Sequence, residues 1–155
     1  MTPGALVDPA FHWTDMGDFD QFEMTNDIGF HFGTRATALR RAEQVRGGEP
    51  ASQDERLIVA QLRLEAPLSL PDLLCWEPKA IINALEDVGV ISQLDAEEAF
   101  QEALIDRHWV QEVLAKKGFD SIVYENHTEG GGKSWIALDP EQITIRARER
   151  VAAAS

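Results

Sequence analysis

A single cysteine, Cys75, stands in the 155 residues. One thiol cannot build an internal disulfide framework or a cysteine-rich zinc site, so the chain suits a reducing compartment. Basic residues are scarce as well: Lys+Arg number 14 against 27 Asp+Glu, a formal net charge of -13. A surface of that sign repels the phosphate backbone that dominates nucleic-acid affinity, which disfavours a general DNA or RNA binder. No stretch approaches the roughly 20 apolar residues needed to cross a bilayer. The opening MTPGALVDPAFHW carries neither a basic start nor an apolar run of signal-peptide length. The expectation is a cytoplasmic protein, soluble as synthesised, with no membrane partner. Internal repeats are missing too, and the longest breaker cluster, Gly47-Gly48-Glu49-Pro50-Ala51-Ser52, reads as a loop within one domain.

What is present is the composition of a folded protein, 44% apolar and 8% aromatic. Short aromatic or apolar runs bounded by Pro, Asp and Gly predict strands near residues 10–14, 28–33, 57–64, 119–124 and 134–138, with 142–145 as one more short candidate. Helical spacing predicts a helix after an N-cap at Thr34, running to Arg46 and stopped by the Gly47-Gly48 pair. A second helix starts at Pro78 and ends at Gly89. A further helical block opens on an Asp95/Glu98 capping box, carries a stripe through Leu114, and breaks near Asp106. Strands at both ends with helices between them argue for an α+β domain over residues 1–147, followed by a frayed or disordered tail at 148–155.

Candidate chemistry is sparse. His12, His31, His108 and His127 form no i, i+4 pair and no HExxH spacing, so no metal is expected. Cys75 has apolar neighbours, Leu74 and Trp76, and reads as an inert, half-buried thiol. Gly130-Gly131-Gly132 matches no phosphate-binding turn, because no helix follows it. It is either a flexible hairpin connection or a mobile loop beside a site. Phe30 and Phe32 share one strand face, and His31 points the other way.

Three segments stand out together: Phe11-His12-Trp13-Thr14 with Asp18-Phe19-Asp20-Gln21-Phe22; Gly29-Phe30-His31-Phe32-Gly33-Thr34; and Gly118 to Ile143, which contains Ile122-Val123-Tyr124, Glu129 with the three glycines, and Asp139-Pro140. In that order they resemble the ADP-ribosyltransferase fold, in particular the small ADP-ribosyltransferase-like domains of phage and mobile-element polyvalent proteins. Residues 66–112 contribute little to the likeness. The resemblance implies split mixed or antiparallel β-sheets around an NAD cleft with flanking helices. It implies an enzyme that moves ADP-ribose from NAD to a macromolecular target, a protein above all, and releases nicotinamide.

On that reading His12 hydrogen-bonds the ribose. Trp13 and Thr14 lie beside the carboxamide, and Phe30 or Phe32 walls the nicotinamide pocket, with Thr34 and Ser134 nearby. Such a reaction needs a carboxylate near an oxocarbenium-like transition state. Related polymerases begin their last strand with a glutamate, and this chain has Ser134 there. The charge then falls to Glu129 in the glycine loop, which matches the small phage-type domains, or to Glu125 at the preceding strand end, or catalysis is absent. Trp13 also replaces the glycine that follows the strand-one histidine. Two alternatives accompany the transferase. One is a catalytically degenerate, acidic binding protein that inhibits a basic partner, suggested by six acidic residues and no Lys or Arg in positions 1–34. The other is a NAD glycohydrolase, with water as acceptor.

Overall fold

Alternating apolar residues and helical stripes lay down, in chain order, β1 (Ala5–Thr14), β2 (Phe30–Phe32), α1 (Arg35–Arg46), β3 (Arg56–Leu64), β4 (Pro67–Ser69), α2 (Pro78–Asp87), α3 (Gln93–Gln101), α4 (Arg107–Lys116), β5 (Ser121–Glu125), β6 (Lys133–Ala137) and β7 (Ile143–Arg150). The computed structural model describes residues 5–18, 22, 28–101, 106–127 and 131–151. The architecture is mixed α+β. One sheet has the order β1-β3-β7 and is antiparallel throughout. The other has the order β2-β6-β5-β4, antiparallel except that β4 runs parallel to β5.

Period-two alternation gives each sheet an apolar face. Ile58, Ala60, Leu62 and Leu64 of β3 meet Phe30 and Phe32 of β2 and Ala137 of β6, closing one core between the sheets. The opposite face of the second sheet presents Ile122, Tyr124 and Ile136. Against it pack Ile81, Ile82 and Leu85 of α2, Ala96 and Ala99 of α3, and Val110 and Leu114 of α4, forming a second core. Helices α2 to α4 thus cover one side of the second sheet, and the first sheet covers the other. None of the helices is long and apolar enough to cross a membrane, among the described residues.

The helix boundaries agree with their capping chemistry. Thr34 accepts from the Thr37 N–H at the start of α1, and Gly47 closes it in a left-handed conformation, φ 58°. Asp106 caps α4 through the Trp109 N–H, which fits the expected break in the helical block. The capping box at Asp95 is not used: the Ser92 hydroxyl accepts from the Asp95 N–H, which places Asp95 inside the first turn of α3.

Three strands differ from expectation. β1 begins at Ala5, because Pro9, which has no N–H to give, is absorbed as a register shift between Val7 and Ala10. β4 is too short to carry alternation and opens on Pro67 at the sheet edge. β7 runs to Arg150, three residues into the stretch from 148 that is expected to be a frayed or disordered tail. It is an edge strand whose backbone pairs with β3 while its arginines stay in water, so its composition mimics a tail.

Candidate functional site

The two glycines of the second aromatic segment explain how β2 is seated. A Cβ on Gly29 would run into the backbone carbonyl of Ala137 on β6, and a Cβ on Gly33 would run into the Thr37 hydroxyl. Gly33 also lets β2 reach the first sheet. Its N–H and carbonyl exchange hydrogen bonds with the carbonyl and N–H of Phe11 on β1, both at 2.9 Å. Where β1 and β2 join, a cavity of about 650 Å³ opens, inside the size range of small-molecule sites.

Its walls come from distant parts of the chain. β1 supplies Phe11, His12 and Trp13, β2 supplies His31 and Phe32, and α1 supplies Thr37, Ala38 and Arg41. The connection from β4 to α2 adds Asp72, Leu74 and Trp76, and β5 and β6 add Tyr124 and Ser134. His12 is wedged among aromatics, 5.3 Å from Phe22 and 5.4 Å from Phe32 between ring centroids. Its Nδ1 lies 2.6 Å from the His31 carbonyl. A carbonyl only accepts, so Nδ1 carries the proton and the tautomer is set. On the far wall Trp76 packs on Tyr124 with centroids 4.6 Å apart, and His31 meets Trp76 edge-on at 6.3 Å.

Polar groups fix the frame. The Trp13 indole N–H donates to Glu55 Oε1 at 2.8 Å. Asn126, 3% exposed, donates from Nδ2 to the Oγ of Ser134, 2% exposed, at 3.0 Å. The backbone of Asn126 also closes the β5–β6 loop, accepting from the Gly131 N–H and donating to the Gly132 carbonyl. Asp72 fastens that loop to the β4–α2 connection by accepting from the Leu74 N–H and the His127 N–H, each at 3.0 Å. Arg41 and Arg107 bring positive charge to the lining, and Asp72 and Glu77 bring negative charge. Leu74 is held at φ 64°, in the left-handed region, with its side chain 75% exposed at the cavity wall.

Of the residues singled out from sequence, His12, Trp13, Phe32 and Ser134 meet at this cavity. Phe30 does not. It is buried against Phe22 in the core between the sheets. Thr14 is buried at the end of β1, where its hydroxyl accepts from the Met16 N–H. Thr34 is occupied as the α1 cap, and its methyl faces Gly132. Glu125 is exposed at the end of β5, paired in register with Lys133. Glu129, Phe19, Asp20 and Gln21 lie outside the described residues. Cys75 is exposed, not half-buried, because it and its apolar neighbour Leu74 lie together on the exposed β4–α2 connection.

Sequence reasoning gave no site role to Trp76, Tyr124 and Arg41, which the cavity collects from separate elements, although Tyr124 stands in the closing motif; nor did it single out the buried Glu55, which accepts from the indole of the lining residue Trp13. Among the described residues no three His, Cys, Asp or Glu side chains are grouped to hold a metal ion. The chain matches no protein-family model, no curated protein and no solved structure.

Proposed function

We propose that the chain is an ADP-ribosyltransferase-like domain whose cavity takes NAD and passes its ADP-ribose to a protein, with release of nicotinamide. The observation that carries this reading is that His12, Phe32 and Ser134, one from each of three separate sequence motifs, line a single cavity between two sheets. In the reaction the bond between ribose C1′ and the nicotinamide nitrogen breaks, and its electron pair leaves with nicotinamide. A nucleophile of the target then bonds to C1′ and gives up its proton. Positive charge develops on the ribose between the two events, so a carboxylate aimed there accelerates the step.

The lining residues suit the substrate part by part. Trp13 offers its indole to the nicotinamide, and Phe32 backs His12 from the core between the sheets. His12 contacts the ribose. Arg41 and Arg107 are the lining cations that suit the two phosphates. Glu129 supplies the carboxylate. In sequence Glu129 stands between Asn126, part of the cavity wall, and Gly131-Gly132, which exchange backbone hydrogen bonds with Asn126. Glu77 is the competing carboxylate, since it lines the cavity at the start of α2 and makes no side-chain cap there.

A second reading is favoured by Ser134. Its hydroxyl accepts from Asn126 and is buried in a structural role, so it brings no negative charge to the last strand. A domain without Glu129 activity is then an inert acidic binder.

Incubation with NAD labelled in the adenylate phosphate, together with a cell lysate, separates the readings. Label on a protein with release of nicotinamide supports transfer. Nicotinamide release without label supports glycohydrolysis, and neither signal supports the inert binder. His12→Ala should weaken NAD binding about tenfold, the size of one well-made polar contact, without unfolding the domain. Glu129→Gln should lower turnover by about a hundredfold or more while changing NAD affinity little, as expected of a charge that acts in the transition state. Glu125→Gln should leave turnover near wild type. Loss of turnover in Glu77→Gln but not in Glu129→Gln would move the catalytic role to Glu77.

A further inference from the structure

We infer that Glu55 is a positioning residue that fixes the Trp13 indole as a rigid wall of the cavity and so controls how tightly a planar heteroaromatic ring is held there. The inference rests on the reading of the cavity as a NAD site. Glu55 is 2% exposed, and burial of a carboxylate is costly unless donors surround it. Three donors do. Oε1 accepts from Trp13 Nε1 at 2.8 Å and from Arg46 Nε at 3.0 Å, and Oε2 accepts from the Ser52 N–H at 2.6 Å.

Two of those donors tie together the end of α1 and the connection that leads into β3. A structural clasp needs no more than these. The third donor is a side chain that borders the cavity. The Trp13 backbone is already held in β1, opposite Leu57 of β3. Anchoring its ring nitrogen as well removes the remaining freedom of the indole, so the ring meets a ligand without first being ordered.

A glutamine at 55 cannot satisfy the same donors. Its amide has one accepting oxygen, and its NH₂ would oppose either the Ser52 N–H or the Trp13 and Arg46 donors. The test uses the whole chain labelled with 5-fluorotryptophan, whose four tryptophans give four fluorine resonances; the Trp13 line is identified by its loss in Trp13→Phe. In Glu55→Gln without ligand, the Trp13 line should shift and broaden while the other three stay in place. NAD affinity, measured by calorimetry, should fall about tenfold in Glu55→Gln and in Trp13→Phe, as for one hydrogen bond to a charged group. The double variant should be no weaker than either, because both remove the same link.

An unmoved Trp13 line in Glu55→Gln, or losses that multiply in the double variant, overturns the inference. If Glu55→Gln fails to fold, Trp13→Phe decides, since it removes the donor while keeping a smaller aromatic ring; unchanged NAD affinity then overturns the inference. A wild-type protein that binds no NAD removes the functional reading instead, and the fluorine comparison still decides whether Glu55 positions the indole.

Discussion

A methyl group is the smallest side chain, and at two places in this protein there is no room for it. The Cβ of an alanine at Gly33 would collide with the Thr37 hydroxyl and crowd Ser134 Oγ at 3.0 Å; at Gly29 it would collide with the Ala137 carbonyl. The two obstacles differ in kind. Gly33→Ala should cost about 1–3 kcal/mol in urea unfolding, as overpacking does. Part of that should return in the Gly33→Ala/Thr37→Ala pair, because the obstructing atom is gone. Gly29→Ala should be as costly and should find no such rescue, since the backbone of β6 cannot be trimmed. Equal recovery at both positions would contradict these contacts. The residue scale is also where sequence reading served best. The spacing of two that put Phe30 and Phe32 on one face is realised, with both side chains turned to the core between the sheets and His31 to the other side. What spacing alone does not distinguish is which of the two rings borders open space. Phe32 does because it neighbours Gly33, the point where the sheets join, and Phe30 does not because Phe22 packs over it.

Elements are fastened to one another by a few charged side chains at their ends. Arg35 stands at the first position of α1, where the helix dipole disfavours a cation. Glu149 of β7 compensates with two hydrogen bonds, at 2.9 and 2.8 Å, and the Arg35 guanidinium also lies 5.0 Å over the Phe11 ring. The hydrogen bond from Arg35 holds the Glu149 carboxyl below its ordinary value, and Glu149 raises Arg35 in turn. A lowered carboxyl contributes stability above its unfolded pKa and loses it as pH falls through the folded one. The melting temperature of Glu149→Gln should therefore sit slightly below wild type at neutral pH and low salt. That gap should close as the pH drops through the acidic carboxylate range, and also as salt rises, because the pair is exposed. A gap that persists at acid pH would assign the effect to packing. The raised Arg35 adds nothing to this profile, since it stays protonated throughout. β7 also shows why this part of the fold was hard to read. Strands that bury a face announce themselves through alternation, as β3 does. A strand that takes its stability from pairing with β3, with most of its side chains in water, leaves no such signal. β4 has too few residues to leave one. The carboxylate of Asp120 shows the same limit: it accepts from the Glu65 and Ala66 N–H groups, fastening the turn after β3 to the start of β5 across a separation no local pattern reveals.

For the whole molecule, a net charge of -13 disfavours general binding of nucleic acid, while the cavity lining carries both signs, Arg41 and Arg107 with Asp72 and Glu77, and so offers an anion two guanidinium groups without a net positive field. The motifs put residues 12, 32 and 134 on three separate strands, and the two-sheet arrangement brings all three to the lining of one cavity. The aromatic wall of Trp76 and Tyr124 was not legible, since its ring contact arises from the irregular stretch between β4 and α2. The seam itself has a use that does not depend on knowing the ligand. Among the described residues, the backbone hydrogen bonds that pass from one sheet to the other are the pair between Phe11 and Gly33, at the cavity. Their release requires only that the sheets part locally, whereas the amides of β3, paired on both sides, open with the sheet as a whole. The amides of Phe11 and Gly33 should therefore exchange deuterium faster than those at the centre of β3, and any molecule that fills the cavity and bridges its walls should slow these two selectively. Exchange at Phe11 and Gly33 as slow as in β3 would show that the seam does not open on its own. If it does open, this pair of amides is an occupancy gauge built into the backbone, able to sort a collection of unlabelled compounds by whether they enter.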